Sequence, residues 1–281
     1  MTWLNCTSCK GVNACAVSCT CCWFSLFRVT LEADSKEHPA RRRRRWRGLI
    51  RAMRRQPGMY MSAEPVYRLI VGVGIEDLTK RTNPVKGVLR DYLYHLIGQA
   101  LQLTGIAEGH LEPFTHRSDG VLILIRPHDD VPKTLILGRL LPVLTALLMT
   151  HNEAMPRLDL HLRLRAVVHA GEVHGDEHGF YGDDVDTACR LLDSPGLRRT
   201  LRDETASPLV LAVSEEIYHG IVEQDYLGAG AYQPLGRIPV GNRRRRGWTH
   251  VPAAAKLDEH VAIPWLENQV PPSPVDIASA S

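Results

Sequence analysis

The order of strand-like and helix-like segments is the feature that most limits what this chain can fold into. From residue 66 to 173 the pattern runs strand, helix, strand, strand, helix, strand, judged by apolar alternation in strands and apolar spacing of three or four in helices. This order predicts an α+β fold with a ferredoxin-like βαββαβ core, a mostly antiparallel sheet with helices on one face. A further helix and three short strands follow, which predicts a C-terminal α/β extension.

Turn and cap signals bound these segments. Asn83 followed by Pro84 indicates a helix start, with Asn83 as the N-cap, and Ser118-Asp119-Gly120 is a hairpin turn signal. Pro142 predicts a kink in the second core helix. The core segments are "VYRLIVGVG" (66–74), a helix beginning at 83, strands on either side of 118–120, a helix over 131–152, and a strand "LDLHLRLRAVVHAGEV" (158–173).

Charge and composition divide the chain into three expected parts. Residues 1–58 carry 12 lysines and arginines against 3 acidic residues, a charge of +9. The whole chain has a formal charge of +3, so the remainder carries 3 − 9 = −6. Periodic patterns occur only after the basic part, and Pro, Ala and Ser dominate after residue 252. We therefore expect an unstructured arm over 1–58, a folded domain over 59–252 and a disordered tail over 253–281.

Six of the seven cysteines lie in the arm, between Cys6 and Cys22. Cys6 and Cys9 have the C-x-x-C spacing of a metal site, but a zinc fold needs a second pair after a longer loop. A secreted disulfide framework would need a signal peptide with a basic start, which the arm lacks. We favour an unstructured arm, or upstream sequence translated from an early start codon. The body contains only Cys189, which fits a reducing cytoplasm.

The segment Arg41–Arg55 holds nine arginines around Trp46. Arginine at this density neutralises phosphates, so association with nucleic acid through the arm is one hypothesis. The other is a solvated charge block without a ligand. The apolar run Ala14–Phe27 is too short, and too rich in Ser, Thr and Cys, to cross a bilayer. We therefore expect no transmembrane segment.

Three short motifs occur in order along the body. They are "GIEDLT" (74–79) at the end of the first strand, "SDG" (118–120) in the hairpin, and "GDDVDTACR" (182–190) at the start of a helix. With the intervening strand "LRLRAVVHAGEV", they make residues 65–252 similar to the class III nucleotidyl cyclases, in particular to actinobacterial cyclase-homology proteins. The resemblance implies a head-to-tail homodimer that converts a nucleoside triphosphate to a cyclic nucleotide and pyrophosphate.

The resemblance also implies a two-metal site of Mg²⁺ or Mn²⁺ held by two aspartates. Asp119 matches the aspartate in the hairpin, but Gly74 stands where the first aspartate belongs, and glycine has no side chain to bind a metal. Glu76 is two residues further on and shares a strand face with Gly74, so it is the candidate replacement. An aspartate restored at position 74 is expected to improve metal binding if the site keeps its shape.

The remaining site residues follow from the helix motif. Arg190 matches the arginine that steadies the α-phosphate, and Gly182 matches the glycine that opens the helix. Asp186 replaces an asparagine that orients the ribose, and its carboxylate would repel phosphate. Arg243 lies near the position of a late lysine that contacts the triphosphate. The base-reading positions do not match those of adenylate cyclases, so the base stays open.

Three functions are therefore in competition. The first is a catalytically degenerate, regulatory dimer that binds a nucleotide or a partner, which Gly74 and Asp186 favour. The second is an active cyclase in signalling or phage defence, which Asp119 and Arg190 favour. The third is a nucleic-acid-associated protein that acts through its arginine-rich arm.

Overall fold

The computed structural model describes residues 64–226 and 230–257. The predictions for the arm 1–58, including its cysteines and Arg41–Arg55, lie outside the described residues. The same holds for residues 258–281 of the predicted tail. Residues 253–257 are described, and Ala255 and Leu257 pack against the core, so core contacts extend past residue 252.

Within the described residues, eight strands form the sheet, in the order β2-β3-β1-β4-β6-β8-β7, with β5 paired to β4. β1 is the central strand of the predicted core and pairs antiparallel with both β3 and β4. β4 and β6 are parallel, and a helical connection joins them. The strands are β1 (Val66–Ile75), β2 (Thr115–His116), β3 (Gly120–Ile125), β4 (Leu164–Asp176), β5 (Gly179–Tyr181), β6 (Leu209–Ser214), β7 (Gln233–Val240) and β8 (Arg243–His250).

Helices cover both faces of this sheet. α1 (Asn83–Leu103) and α2 (Lys133–Ala154) pack on one face, as the ferredoxin-like core predicts. α3 (Asp183–Leu192) and α4 (Pro195–Asp203) belong to the extension and pack on the other face. A short α5 (Glu215–Ile217) follows β6. The predicted α+β class, core and C-terminal extension are confirmed, and the second helical face comes from the extension.

The alternation of β1 explains why both faces are apolar. Val71 and Val73 point into the core beneath α1 and α2, whereas Ile70 packs with α3 and α4. A strand buried on both faces reads as a nearly continuous apolar run, and "LIVGVGI" is such a run. Gly72 and Gly74 lie on the α3 side, where they leave space for neighbouring side chains.

Two segment boundaries differ from the sequence prediction. β4 begins at Leu164, not at Leu158, because Leu158–Leu160 forms a 3₁₀ turn. The side chain of Asn152 then satisfies the backbone of Leu162, accepting from its N–H at 2.8 Å and donating to its carbonyl at 2.9 Å. These bonds replace the strand ladder. At α1 the N-cap is Thr82, one residue before Asn83.

α2 is long and apolar enough to cross a membrane by composition, with a mean hydropathy of 1.5 in its most apolar window. Within the described residues, however, 61% of that window is buried. Its apolar side chains join the core, among them Leu141, Leu144 and Leu147. The helix contains a π-helical turn at Ile136–Leu140, directly before Pro142, where the sequence predicts a kink.

We expect a fragment of residues 59–281 to fold without the arm. Every side chain of the two described core clusters lies between residues 66 and 257, so deleting 1–58 removes no core contact described here. The fragment should unfold in one cooperative transition near the melting temperature of the full chain, measured by circular dichroism. Failure of the fragment to fold would show that the arm is structural.

Candidate functional site: an arginine in the predicted metal position

The hairpin of β3 brings Asp119 next to Gly74. Gly74 pairs with Gly120 across the two strands, and the N–H of Ile75 donates to the carbonyl of Asp119 at 2.8 Å. A β-carbon at position 120 would lie 1.9 Å from the carbonyl oxygen of Val73, so this close approach requires glycine. A β-carbon at position 74 would lie 3.5 Å from Asp119 Oδ2. Positions 74 and 119, which match the two metal-binding aspartates of cyclases in sequence, are therefore adjacent.

Arg165 occupies the space between them. It lies on β4 directly opposite Gly74, and its side chain is only 2% exposed. Its Nη2 lies 3.0 Å from Asp119 Oδ2 and 3.0 Å from the place that a β-carbon of residue 74 would take. Burial lowers the pKa of Arg165, and the Asp119 charge opposes that shift. The guanidinium stays protonated, because the pKa of arginine lies far above neutrality.

Glu76 also pairs with an arginine. Its Oε2 lies 2.8 Å from Nε of Arg163. The other side of that guanidinium donates to the carbonyls of Leu201 and Glu204, the latter at 2.6 Å. Arg163 thereby ties the end of β1 to the C-terminal end of α4. The structure places Glu76 beside a cation that is itself held in place, rather than beside Asp119.

A chain of charges leads from Asp119 to the end of α3. Arg117 Nε lies 3.7 Å from Asp119 Oδ1, and Arg117 Nη2 lies 2.6 Å from Asp193 Oδ2. Asp193 follows directly after α3, and its other oxygen pairs with Arg198 of α4 at 2.8 Å. Asp119 Oδ1 is buried and accepts no hydrogen bond within the described residues. The site is thus an alternating network of three arginines and two aspartates.

The helix residues of the predicted site lie together on α3. Gly182 is the N-cap, with φ of 128°, a backbone conformation that favours glycine. Asp186 and Arg190 are exposed and lie one turn apart on the same face. Within residues 64–226 and 230–257, Arg190 has no ion-pair partner. Arg243 is exposed at the start of β8, opposite Val240.

A buried histidine lies on the same face of β4 as Arg165. His169 is fully buried, with Nε2 3.1 Å from Asp184 Oδ1 and Nδ1 3.4 Å from Glu216 Oε2. Burial alone would lower the pKa of His169, but hydrogen bonds to Asp184 and Glu216 outweigh it and raise that pKa. The hydrogen bond to His169 lowers the pKa of Glu216 to about 2. The ring therefore lies buried between two carboxylates that favour its protonated form.

Sequence reasoning did not identify Arg165, Arg163 or His169 as site residues. Each lies at an alternate position of "RLRAVVH" (163–169), so all three share the face toward α3 and α4. A polar residue in a strand that is otherwise buried on both faces is the signal that was present. The sequence did not reveal which carboxylate each cation meets.

We expect Asp119→Asn to destabilise the domain. In a metal site without its ion, removing a carboxylate relieves repulsion and stabilises the fold. Here the substitution leaves Arg165 buried without its partner, a change that costs about 3–5 kcal/mol for a buried pair. Urea unfolding at neutral pH in the presence of a chelator measures the free energy of unfolding.

Asp159→Asn is the matched control. Asp159 pairs with Arg157 at 2.6 Å, but both side chains are exposed, and such pairs contribute little to stability. The control should leave unfolding unchanged. Unchanged or increased stability in Asp119→Asn would contradict the assignment of Asp119 as the counterion of Arg165.

We expect the stabilisation by His169 to fade at alkaline pH. Because the native pKa is raised, the contribution is complete below the unfolded-state pKa of about 6.5 and is lost as the pH rises through the native pKa. Wild type and His169→Gln should therefore differ most in free energy of unfolding near pH 6, and the difference should narrow toward pH 9 or so. A difference that widens with pH would show that the ring is neutral in the native state.

No family model matches the chain, and no curated protein matches it. Among solved structures, it is similar to an adenylate/guanylate cyclase/hydrolase from Silicibacter pomeroyi, with 20% identity, coverage of 68% of this chain and 100% of that chain, and a TM-score of 0.48. The guanylyl cyclase Cya2 gives 15% identity, 71% and 98% coverage, and a TM-score of 0.48. The guanylyl cyclase domain of the RhoGC fusion protein from the fungus Blastocladiella emersonii gives 15% identity, coverage of 67% of this chain and 98% of that chain, and a TM-score of 0.43. These neighbours are the class of protein that the sequence motifs resemble, and at these levels of similarity they assign no reaction to this chain.

Proposed function

We propose that this protein is a catalytically silent cyclase-homology domain that acts as a regulatory, nucleotide-binding dimer in the cytoplasm. The observation that carries the proposal is the guanidinium of Arg165, which lies against Asp119 in the space left by Gly74. Cyclisation with two divalent ions needs at least two carboxylates to hold both metals near the reacting phosphate. This site offers one carboxylate, and that carboxylate already has a cation.

The residues present do not fit a two-metal centre. Two guanidinium groups already lie beside the Asp119 carboxylate: Arg165 Nη2 is 3.0 Å from Oδ2, and Arg117 Nε is 3.7 Å from Oδ1. Their positive charges would repel a divalent ion bound there. Displacing Arg165 would leave a buried guanidinium without a counterion, which is strongly unfavourable. Mg²⁺ also gives up its water reluctantly. We therefore derive no catalytic step through a metal ion.

Glu76 does not restore the missing ligand without a rearrangement. It would have to leave Arg163, which also donates to carbonyl oxygens at the end of α4. Moving Glu76 toward Asp119 would therefore break an ion pair that joins β1 to α4. The cost of that rearrangement supports a silent site over a rescued one.

The exposed residues of α3 support a role in binding. Asp186 and Arg190 present one polar face to solvent, and Arg190 is available to a phosphate or to a second copy of the chain. Arg243 and its neighbours on β8 add exposed positive charge. A triphosphate held by arginine side chains needs no metal ion to bind, so binding without turnover is chemically consistent with this set of residues.

An active cyclase is the second candidate. The buried Oδ1 of Asp119, which accepts no hydrogen bond within the described residues, favours it. Arg165 contacts the other oxygen, Oδ2, so a cation could bind Oδ1 if Arg117, whose Nε lies 3.7 Å from it, moved aside. Mn²⁺ binds carboxylate oxygens more tightly than Mg²⁺ does and is less demanding in geometry, so this candidate predicts turnover first with Mn²⁺.

We expect the full chain to release no pyrophosphate from ATP, GTP, CTP or UTP, with either Mg²⁺ or Mn²⁺, above the level of Asp119→Asn. Gly74→Asp should not restore turnover, because the new carboxylate would meet Arg165 and form an ion pair. Gly74→Asp combined with Arg165→Met removes that cation and should gain Mn²⁺ binding, measured by electron paramagnetic resonance. Sedimentation at micromolar protein verifies that the dimer is present.

Two results would contradict the proposal. One is robust Mg²⁺-dependent turnover in the wild type that disappears in Glu76→Gln, which would make Glu76 the replacement ligand. The other is a gain of turnover in Gly74→Asp alone, which would show that Arg165 yields its place to a metal ion.

A further inference from the structure

The end of β3 remote from Asp119 carries a separate cluster of potential metal ligands. His110, His128 and Asp130 each offer one ligand atom, and these atoms all lie within 4.8 Å of one another. The two imidazole rings have centroids 4.5 Å apart. His110 is half-buried, whereas His128 and Asp130 are exposed. We propose that these three residues bind a divalent transition-metal ion, with Zn²⁺ the first candidate.

The backbone holds the two histidines together before any ion binds. The N–H of Arg126 donates to the carbonyl of His110 at 2.8 Å, and Leu111 forms a β-bridge with Ile125. His128 therefore lies only two residues after Arg126, the residue that is hydrogen-bonded to His110. A turn in which the N–H of Val131 donates to the carbonyl of His128 at 3.0 Å fixes the following loop. Such preorganisation reduces the entropy lost on binding.

The atoms of His128 and Asp130 are already spaced for coordination. Asp130 Oδ2 lies 3.4 Å from His128 Nδ1. Ligand atoms at 2.0–2.1 Å from a tetrahedral zinc lie about 3.3 Å from each other. The N–H of Asp130 donates to the lone pair of His128 Nδ1 at 3.2 Å, and a metal ion that binds Nδ1 would replace this bond. The ligand atom of His110 lies within 4.8 Å of those of His128 and Asp130, and rotation of the two exposed side chains would have to close the remaining distance.

The donor set selects the metal. Two imidazole nitrogens and one carboxylate suit Zn²⁺ and its neighbours, whereas Mg²⁺ and Ca²⁺ prefer oxygen ligands. Three protein ligands leave the fourth position of a tetrahedral ion to water. A cleft of about 310 Å³, lined in part by Tyr67, Arg126 and His128, lies beside the cluster and has room for that water.

This site is independent of the proposed function. β3 runs from Gly120 to Ile125, so its ends are about 17–20 Å apart at 3.4 Å per residue. Asp119 precedes one end, and His110 and His128 lie around the other. A metal ion here would join the 3₁₀ turn Glu108–His110 to the loop after β3, and it would do so whether or not the Asp119 site turns over nucleotide.

Calorimetric titration of the full chain with ZnCl₂ tests the proposal. Cysteine thiolates are zinc ligands in general, so the cysteines of the arm are first alkylated with iodoacetamide, and circular dichroism verifies that the fold is kept. We expect one saturable site per chain, weakened at about pH 5.5 because the imidazoles take up protons. His110→Ala and His128→Ala should each weaken binding by about tenfold or more. X-ray absorption of the zinc complex should show only nitrogen and oxygen ligands.

His178→Ala is the matched control. His178 is exposed, and its Nε2 lies 3.5 Å from Oε1 of Glu177. Among the described residues, this pair belongs to no cluster of three potential metal ligands. The substitution should leave the titration unchanged. Zinc binding of unchanged affinity in either His110→Ala or His128→Ala, or weakened binding in His178→Ala, would overturn the proposal, as would the absence of binding in the alkylated wild type. None of these results bears on pyrophosphate release.

Discussion

A guanidinium buried inside a sheet requires a carboxylate within hydrogen-bond distance, and the pairing of Arg165 with Asp119 meets that requirement. The three central strands of the core depend on it. β4 supplies the arginine, the β3 hairpin supplies the aspartate, and β1 supplies only Gly74 between them. Any larger side chain at position 74 would have to displace or bind the guanidinium, so the buried position of Arg165 depends on glycine at position 74.

Further ion pairs connect Asp119 of the hairpin to the helices of the C-terminal extension. Arg117 joins Asp119 to Asp193 at the end of α3, and Asp193 joins α3 to Arg198 of α4. α3 also carries the exposed face with Arg190. Arg190 lies in the last turn of this helix, so the exposed face and the ion pairs of Asp193 lie at the same end of α3.

Much of the fold follows from the sequence, because period and turn chemistry are local properties. The strand and helix order and the hairpin at Asp119 were predicted in this way, whereas the proximity of Asp119 to Gly74 was implied by the resemblance of the motifs to those of cyclases. The partners of Arg165, Arg163 and His169 were not, because pairing depends on the register of strands distant in sequence. The alternation of "RLRAVVH" places these residues on one face, but it does not indicate whether that face meets water, a metal ion or a carboxylate. The predicted start of β4 was wrong for a related reason. The side chain of Asn152, which lies on α2, hydrogen-bonds the backbone N–H and carbonyl of Leu162 in place of a neighbouring strand.

An internal guanidinium differs from a bound metal ion in what it allows chemically. It balances the charge of Asp119 without any divalent ion. It has no open coordination position, and with a pKa far above neutrality it does not activate a hydroxyl as a bound metal ion does. It therefore balances the buried charge of Asp119 where β1, β3 and β4 meet. Arg190 and Arg243 lie outside this pair and are exposed to solvent, so the buried guanidinium and the exposed ones meet different physical demands: the first needs a carboxylate partner, and the others are satisfied by water.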